Sequence, residues 1–102
     1  MCDTNQMQIG SDTWVVIPAY NEASVIGGVV AGVRTFFPRV LVVDDASGDD
    51  TAAVARAAGA YTARHPLNLG QGAALQTGFD AALARGAQYV VTFDADGQHD
   101  PA

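Results

Sequence analysis

Four short apolar runs punctuate the chain, and the apolar residues between them fall at helical spacing. Thr13-Trp14-Val15-Val16-Ile17-Pro18 is rich in β-branched residues and stopped by proline, which predicts a buried strand. Arg39-Val40-Leu41-Val42-Val43-Asp44 predicts a second buried strand, residues 60–64 a short third, and Tyr89-Val90-Val91-Thr92-Phe93 a buried fourth. Val25, Ile26, Val29, Val30 and Val33 mark a helix, with Asn21 as its N-cap, Glu22 placed to favour its dipole and Phe36-Phe37-Pro38 as its end. An alanine-rich helix follows over 51–58, capped by Asp49 or Asp50 and stopped at Gly59. Residues 65–72 read as a loop, and Ala73, Ala74, Leu75, Phe79, Ala82 and Leu83 as a third helix closed by Gly86. The order β-α-β-α-β-α-β, with strands apolar on both faces, predicts an α/β fold: a parallel sheet covered on both sides, with right-handed crossovers.

Composition narrows the chemistry. A length of 102 residues, 49% of them hydrophobic, suits one small domain. The net charge is −6, and the five basic residues, Arg34, Arg39, Arg56, Arg64 and Arg85, include no lysine. P-loop and Schiff-base chemistry both need a lysine and are set aside. The acidic balance argues against a nucleic-acid partner, yet a nucleotide held by a metal and backbone amides stays compatible. Cys2 is alone, so no internal disulfide forms and a reducing, cytoplasmic location is expected. No run approaches the ~18 apolar residues of a membrane span. Residues 1–13 lack the pattern of a signal peptide and read as a flexible tail before a domain over 14–102.

In an open parallel sheet, ligands bind beyond the carboxyl ends of the strands. Here those ends are acidic: Glu22 after the first strand, Asp44 and Asp45 after the second, Asp94 and Asp96 after the fourth. Carboxylates gathered without basic partners repel, so a cation or hydrogen-bond donors are expected at this rim. Asp94 and Asp96 would share one strand face, and hard oxygens suit Mg²⁺ or Mn²⁺ better than Zn²⁺. The plainer reading of the same stretch is a solvated acidic turn. Pro18 also reads as a strand stop, and Asp44 as a solvated strand end or a satisfied cap. His65 and His99 are loop residues without the Cys/His set that zinc requires. Gly70-Gln71-Gly72 lacks the third glycine of a dinucleotide loop, though its amides could face an anion at a helix start.

Taken together, these motifs resemble the nucleotide-binding half of the family 2 glycosyltransferases of the GT-A fold. Ile17-Pro18-Ala19-Tyr20-Asn21-Glu22 is similar to the family's opening signature, and Val42-Val43-Asp44-Asp45-Ala46-Ser47-Gly48-Asp49-Asp50-Thr51 to its second. Asn68-Leu69-Gly70-Gln71-Gly72-Ala73 with Gly78 is similar to its third, and Asp94-Ala95-Asp96-Gly97-Gln98-His99 to its metal-binding DxD motif. The last form is most similar to the dolichyl- and polyprenyl-phosphate sugar transferases. The resemblance implies a Rossmann-like three-layer half-domain with about four parallel strands in the order 3-2-1-4. It implies that Pro18, Ala19, Tyr20, Glu22, Asp44, Asp45, Gly72 and Asp94 bind the donor, with Asp45 on the base and Asp44 holding the loop. It places Asp94, Asp96 and Gln98 at a Mn²⁺ or Mg²⁺ that bridges the donor pyrophosphate and stabilises the departing nucleoside diphosphate as a Lewis acid.

The donor implied is a UDP- or GDP-linked sugar, and a lipid phosphate is the candidate acceptor. A lysine or arginine often fills the place of Gln71 in that family, and its absence removes one phosphate contact. The motifs end at the chain's end, so the catalytic base is unknown and expected beyond Ala102. The chain therefore reads as a fragment, inactive in transfer by itself, of a longer protein that associates with membranes. A non-catalytic nucleotide- or metal-binding module is the alternative. A haloacid dehalogenase-like phosphatase is disfavoured, because its Asp-x-Asp motif follows the first strand. In the order 3-2-1-4 the fourth strand has a free, uncharged edge, and a homodimer or aggregate through that edge is expected.

Overall fold

The computed structural model describes residues 12–95. The two longest β-branched runs become the centre of the sheet. These are β1 (Thr13–Ala19) and β2 (Arg39–Asp44), parallel, with Val15 opposite Val40 and Ile17 opposite Val42. β3 (Tyr61–Arg64) adds to β2, and β4 (Tyr89–Thr92) adds to β1, giving the expected order β3-β2-β1-β4 with every pair parallel. Between the strands lie α1 (Ala23–Arg34), α2 (Thr51–Ala57) and α3 (Gln71–Ala84).

Strand side chains alternate between faces, so each central strand feeds two cores. On one face Val15, Ile17, Val40 and Val42 pack with Ile26 and Val30 of α1 and Ala55 of α2. On the other, Trp14, Val16, Leu41 and Val43 meet Ala74 and Ala82 of α3. That two-sided burial is why these strands read as unbroken apolar runs. α3 can lie close to β1 because Gly78 has no side chain: a Cβ there would sit 2.2 Å from Val16 Cγ1. At the other end of the sheet, Arg39 and Arg85 lie over the Trp14 ring, which also contacts Tyr61.

Several expectations are corrected. Pro18 does not stop β1, which runs on to Ala19 with Pro18 opposite Val43. Val16 C=O accepts from Phe93 N–H, so Pro18, two residues on, faces the same side beyond the last β1–β4 pair, and its missing N–H removes no ladder bond. Thr13 belongs to β1 and is buried opposite Tyr89, so the tail expected over 1–13 ends before it. α3 begins at Gln71, inside the expected 65–72 loop, because Gly70 makes the turn at φ 101°.

β4 is not the buried strand its composition suggests. Tyr89, Val91 and Phe93 are 65%, 44% and 46% exposed, since among the described residues β4 pairs with β1 alone. Val91 and Phe93 face a groove of about 400 Å³, otherwise lined by Val15 and by Gly28, Val29, Val33 and Phe36 in and after α1. No helix among the described residues is long and apolar enough to cross a membrane.

Candidate functional site

The site is built from the segments that leave β1, β2 and β4 at their carboxyl ends. Two of them are laced together. Asn21 sits at φ 54°, so it turns the chain instead of capping α1, the role its position suggests. Its N–H donates to Ser47 Oγ (2.8 Å), and Gly48 N–H donates back to Asn21 Oδ1 (2.8 Å). Glu22 N–H donates to Thr51 Oγ1 (2.9 Å), and Ala23 N–H to Asp49 Oδ2 (3.2 Å). Asp49 Oδ1 accepts from Thr51 N–H (3.0 Å) and from the Thr51 hydroxyl. Asp49 thus serves the first amides of both α1 and α2, whereas Asp50, at the N-cap position of α2, makes no side-chain cap. The Thr51 hydroxyl holds the Asp49 carboxyl below its ordinary range against partial desolvation, and the amides of Ala23 and Thr51 add to this.

Asp44 and Asp45 part company at the end of β2. Asp44 is fully buried; its Oδ1 accepts from Ser47 N–H (2.9 Å), and its Oδ2 lies 3.5 Å from Arg64 Nη1. Asp44 therefore holds the loop, and it does not line the cleft with Pro18, Ala19, Tyr20, Glu22, Asp45 and Asp94 of the donor set it was grouped with. Strand geometry is the reason: Asp44 is the last β2 residue and lies under the turn that Ser47 closes.

Asp45 turns toward the cleft and is 4% exposed. Its Oδ1 accepts from His65 Nδ1–H (2.8 Å) and Leu69 N–H (2.9 Å), and its Oδ2 from Gly70 N–H (2.8 Å). Burial pushes its pKa up, but the Leu69 amide, the His65 ring and the Gly70 amide outweigh that and hold it below the ordinary value. His65 is buried as well, its Nε2 2.8 Å from Thr77 Oγ1 of α3. Sequence reasoning weighed His65 only as a zinc ligand and passed over Thr77. His65 lies 20 residues from Asp45 and 12 from Thr77, and no local pattern joins them.

The cleft itself is lined by Pro18, Ala19, Tyr20, Glu22, Asp45, Gln71, Ala74 and Asp94. Most of the donor-binding set expected from the motifs is therefore brought together. Gly72 is exposed on the first turn of α3 and gives its place to Gln71 and Ala74. At about 120 Å³ the cleft has room for one ring-sized moiety, less than the ~300–1,000 Å³ usual for a whole ligand. The apolar groove beside β4 is larger, but it carries none of the carboxylates. Of the metal set, Asp94 reaches the cleft; Asp96 and Gln98 lie outside the described residues, as does His99. Among the described residues no three His, Cys, Asp or Glu side chains converge on a common point. The donor chemistry that is present, carboxylate oxygen at Asp94 beside an acidic rim, fits a hard divalent cation.

A parallel sheet with a cleft beyond the carboxyl ends of its strands is the open α/β architecture that binds ligands at that position. The family model for glycosyl transferase family 2 matches residues 14–102, and the chain belongs to that family. A UDP-N-acetylglucosamine–dolichyl-phosphate N-acetylglucosaminyltransferase of Methanococcus voltae is 33% identical over 106 residues, covering 86% of this chain and 42% of that protein. A polyprenol monophosphomannose synthase of Mycolicibacterium smegmatis is 39% identical over 97 residues, covering 87% of this chain and 37% of that protein. The chain thus spans about two fifths of the length of these relatives. The crystal structure of glucosyl-3-phosphoglycerate synthase from Mycobacterium tuberculosis with Mn²⁺, UDP and glucosyl-3-phosphoglycerate superposes with a TM-score of 0.69 at 30% identity, over 82% of this chain and 33% of that one.

Proposed function

We propose that this chain is the donor-binding part of a metal-dependent sugar transferase. A nucleoside diphosphate sugar enters at the carboxyl ends of β1, β2 and β4. Its base and ribose meet Pro18, Ala19, Tyr20, Glu22, Asp45 and Asp94, and its pyrophosphate meets a Mn²⁺ or Mg²⁺ held by Asp94, Asp96 and Gln98. The observation that carries this reading is the convergence of residues from four separate motifs on one cleft. Among the described residues Asp45 Oδ2 accepts a single hydrogen bond, leaving acceptor capacity for a ring N–H such as that of uracil or guanine. The bound cation would neutralise the donor's phosphates against the acidic rim and stabilise the departing diphosphate.

The names of the relatives support a polyprenyl or dolichyl phosphate as the acceptor of the whole protein, and with it an association with membranes. A second copy of the chain is the partner expected at β4, supported by the exposed, uncharged Tyr89, Val91 and Phe93.

Calorimetric titration of UDP and of GDP, each with and without Mn²⁺, tests the site. Binding of one of them, strengthened by Mn²⁺ and weakened in Asp94→Asn and Asp96→Asn, is the expected result. Absence of binding by either nucleotide overturns the assignment. Binding by the whole protein without sugar transfer would instead favour a non-catalytic module.

A further inference from the structure

We infer that His65 is a positioning residue of the donor site, with Thr77 as its support. The inference rests on the reading of the cleft as a donor site. Asp45 is the cleft carboxylate from β2, and a carboxylate on a turn can rotate unless its lone pairs are engaged. Here His65 Nδ1–H and Leu69 N–H both end on Oδ1, and Gly70 N–H ends on Oδ2. A carboxylate offers about four acceptor positions. Among the described residues three are filled from within, and one, on Oδ2, is left at the cleft. The imidazole is held in turn. Its Nδ1 faces the carboxylate and so carries hydrogen, and its Nε2 lies 2.8 Å from the Thr77 hydroxyl, a group that can donate or accept.

The ring, 7% exposed, ties the end of β2 to the middle of α3. The same carboxylate gathers the start of α3, because Gly70 is the residue before Gln71. Asn68 Nδ2 reaches Asp45 C=O at 3.3 Å and closes the loop over it. Without His65, Asp45 would keep the two loop amides but lose the side-chain bond that fixes its rotation. A residue that only fills space would need no particular donor atom. An asparagine places its amide nitrogen near the position of Nδ1, so it separates the two roles.

The test compares His65→Ala, His65→Asn and Thr77→Val in the full chain, titrated with UDP in the presence of Mn²⁺. His65→Ala is expected to weaken binding by about tenfold or more, as fits loss of a hydrogen bond to a charged group, and His65→Asn to restore most of it. Nitrogen NMR of the wild-type ring should report hydrogen on Nδ1, and Thr77→Val should disturb the Nε2 signal. Unchanged affinity in folded His65→Ala, or an asparagine variant as weak as alanine, overturns the inference. Should the wild type bind no UDP, the donor-site reading falls on its own, and amide exchange then decides the positioning role. Leu69 and Gly70 amides protected in wild type and open in His65→Ala support it, and equal protection in both refutes it.

Discussion

Arg64 Nη1 lies 3.5 Å from Asp44 Oδ2, a fully buried oxygen that accepts no hydrogen bond among the described residues. The pair is lopsided, since the arginine side chain is 53% exposed while the carboxylate has no access to water. Arg64 also donates from Nη2 to Ser47 C=O at 2.9 Å, so one guanidinium steadies both the charge and the turn above it. Removing it leaves a buried charge without its counter-ion. Arg64→Ala is expected to destabilise the fold by about 1–2 kcal/mol, less than for a wholly buried pair because water already screens the arginine. Urea denaturation measures this. Arg64→Lys should fall between, keeping the charge but losing the two-pronged geometry.

The pH dependence of stability follows from Asp45. Its carboxyl titrates below its ordinary value in the folded protein, so its contribution is complete above about pH 4 and is lost as pH falls through the folded value. Asp45→Asn is therefore expected to lower stability at neutral pH and to lose less on further acidification than wild type. Asp49 shifts in the same direction and is untouched by the substitution, so some acid sensitivity should persist. Urea midpoints collected between pH 7 and pH 2 on both proteins give the comparison.

Two glycines in helices should respond in opposite ways to alanine. A methyl at Gly78 would meet Val16 Cγ1 at 2.2 Å, against a strand that cannot yield, so Gly78→Ala is expected to cost about 1–3 kcal/mol. At Gly32 of α1 nothing lies within 4 Å of the added atom, and Gly32→Ala should stabilise by about 0.5–1 kcal/mol. Thermal unfolding of the two variants beside wild type resolves the contrast.

At the open side of β4, Val91→Lys should suppress self-association. A lysine on an edge strand opposes pairing with another strand, whereas Val91 and its exposed neighbours Tyr89 and Phe93 invite it. Sedimentation over a range of concentrations is expected to show rising mass for wild type and a monomer for the variant. A monomeric wild type at high concentration would count against pairing.

Much of this architecture could be read before any coordinates. β1 and β2 announced themselves because burial on both faces leaves an unbroken apolar run, and the acidic residues placed the cleft because they stand where those runs stop. What escaped was long-range. Tyr89-Val90-Val91-Thr92-Phe93 has the composition of an interior strand, and composition does not say that β1 is its one pairing partner among the described residues. Asn21 has the chemistry of a cap, yet Ser47 and Gly48, 26 and 27 residues away, give it a different task. His65 drew attention only as an absent zinc ligand, because its partners come from β2 and α3. Asp44 and Asp45 are adjacent in sequence and look equivalent, and only the turn at Ser47 makes one a brace and the other a wall of the cleft.

The reciprocal bonds between Asn21 and Ser47-Gly48, and the bonds that the Glu22 and Ala23 amides donate to Thr51 and Asp49, have a mechanical result. They weld the exits of the two central strands into a single stiff jaw. The opposing jaw, which runs through residues 65–70 into α3, hangs on the carboxylate of Asp45. A guest that needs more space than the cleft offers meets an anvil on one side, and whatever yields must yield on the other.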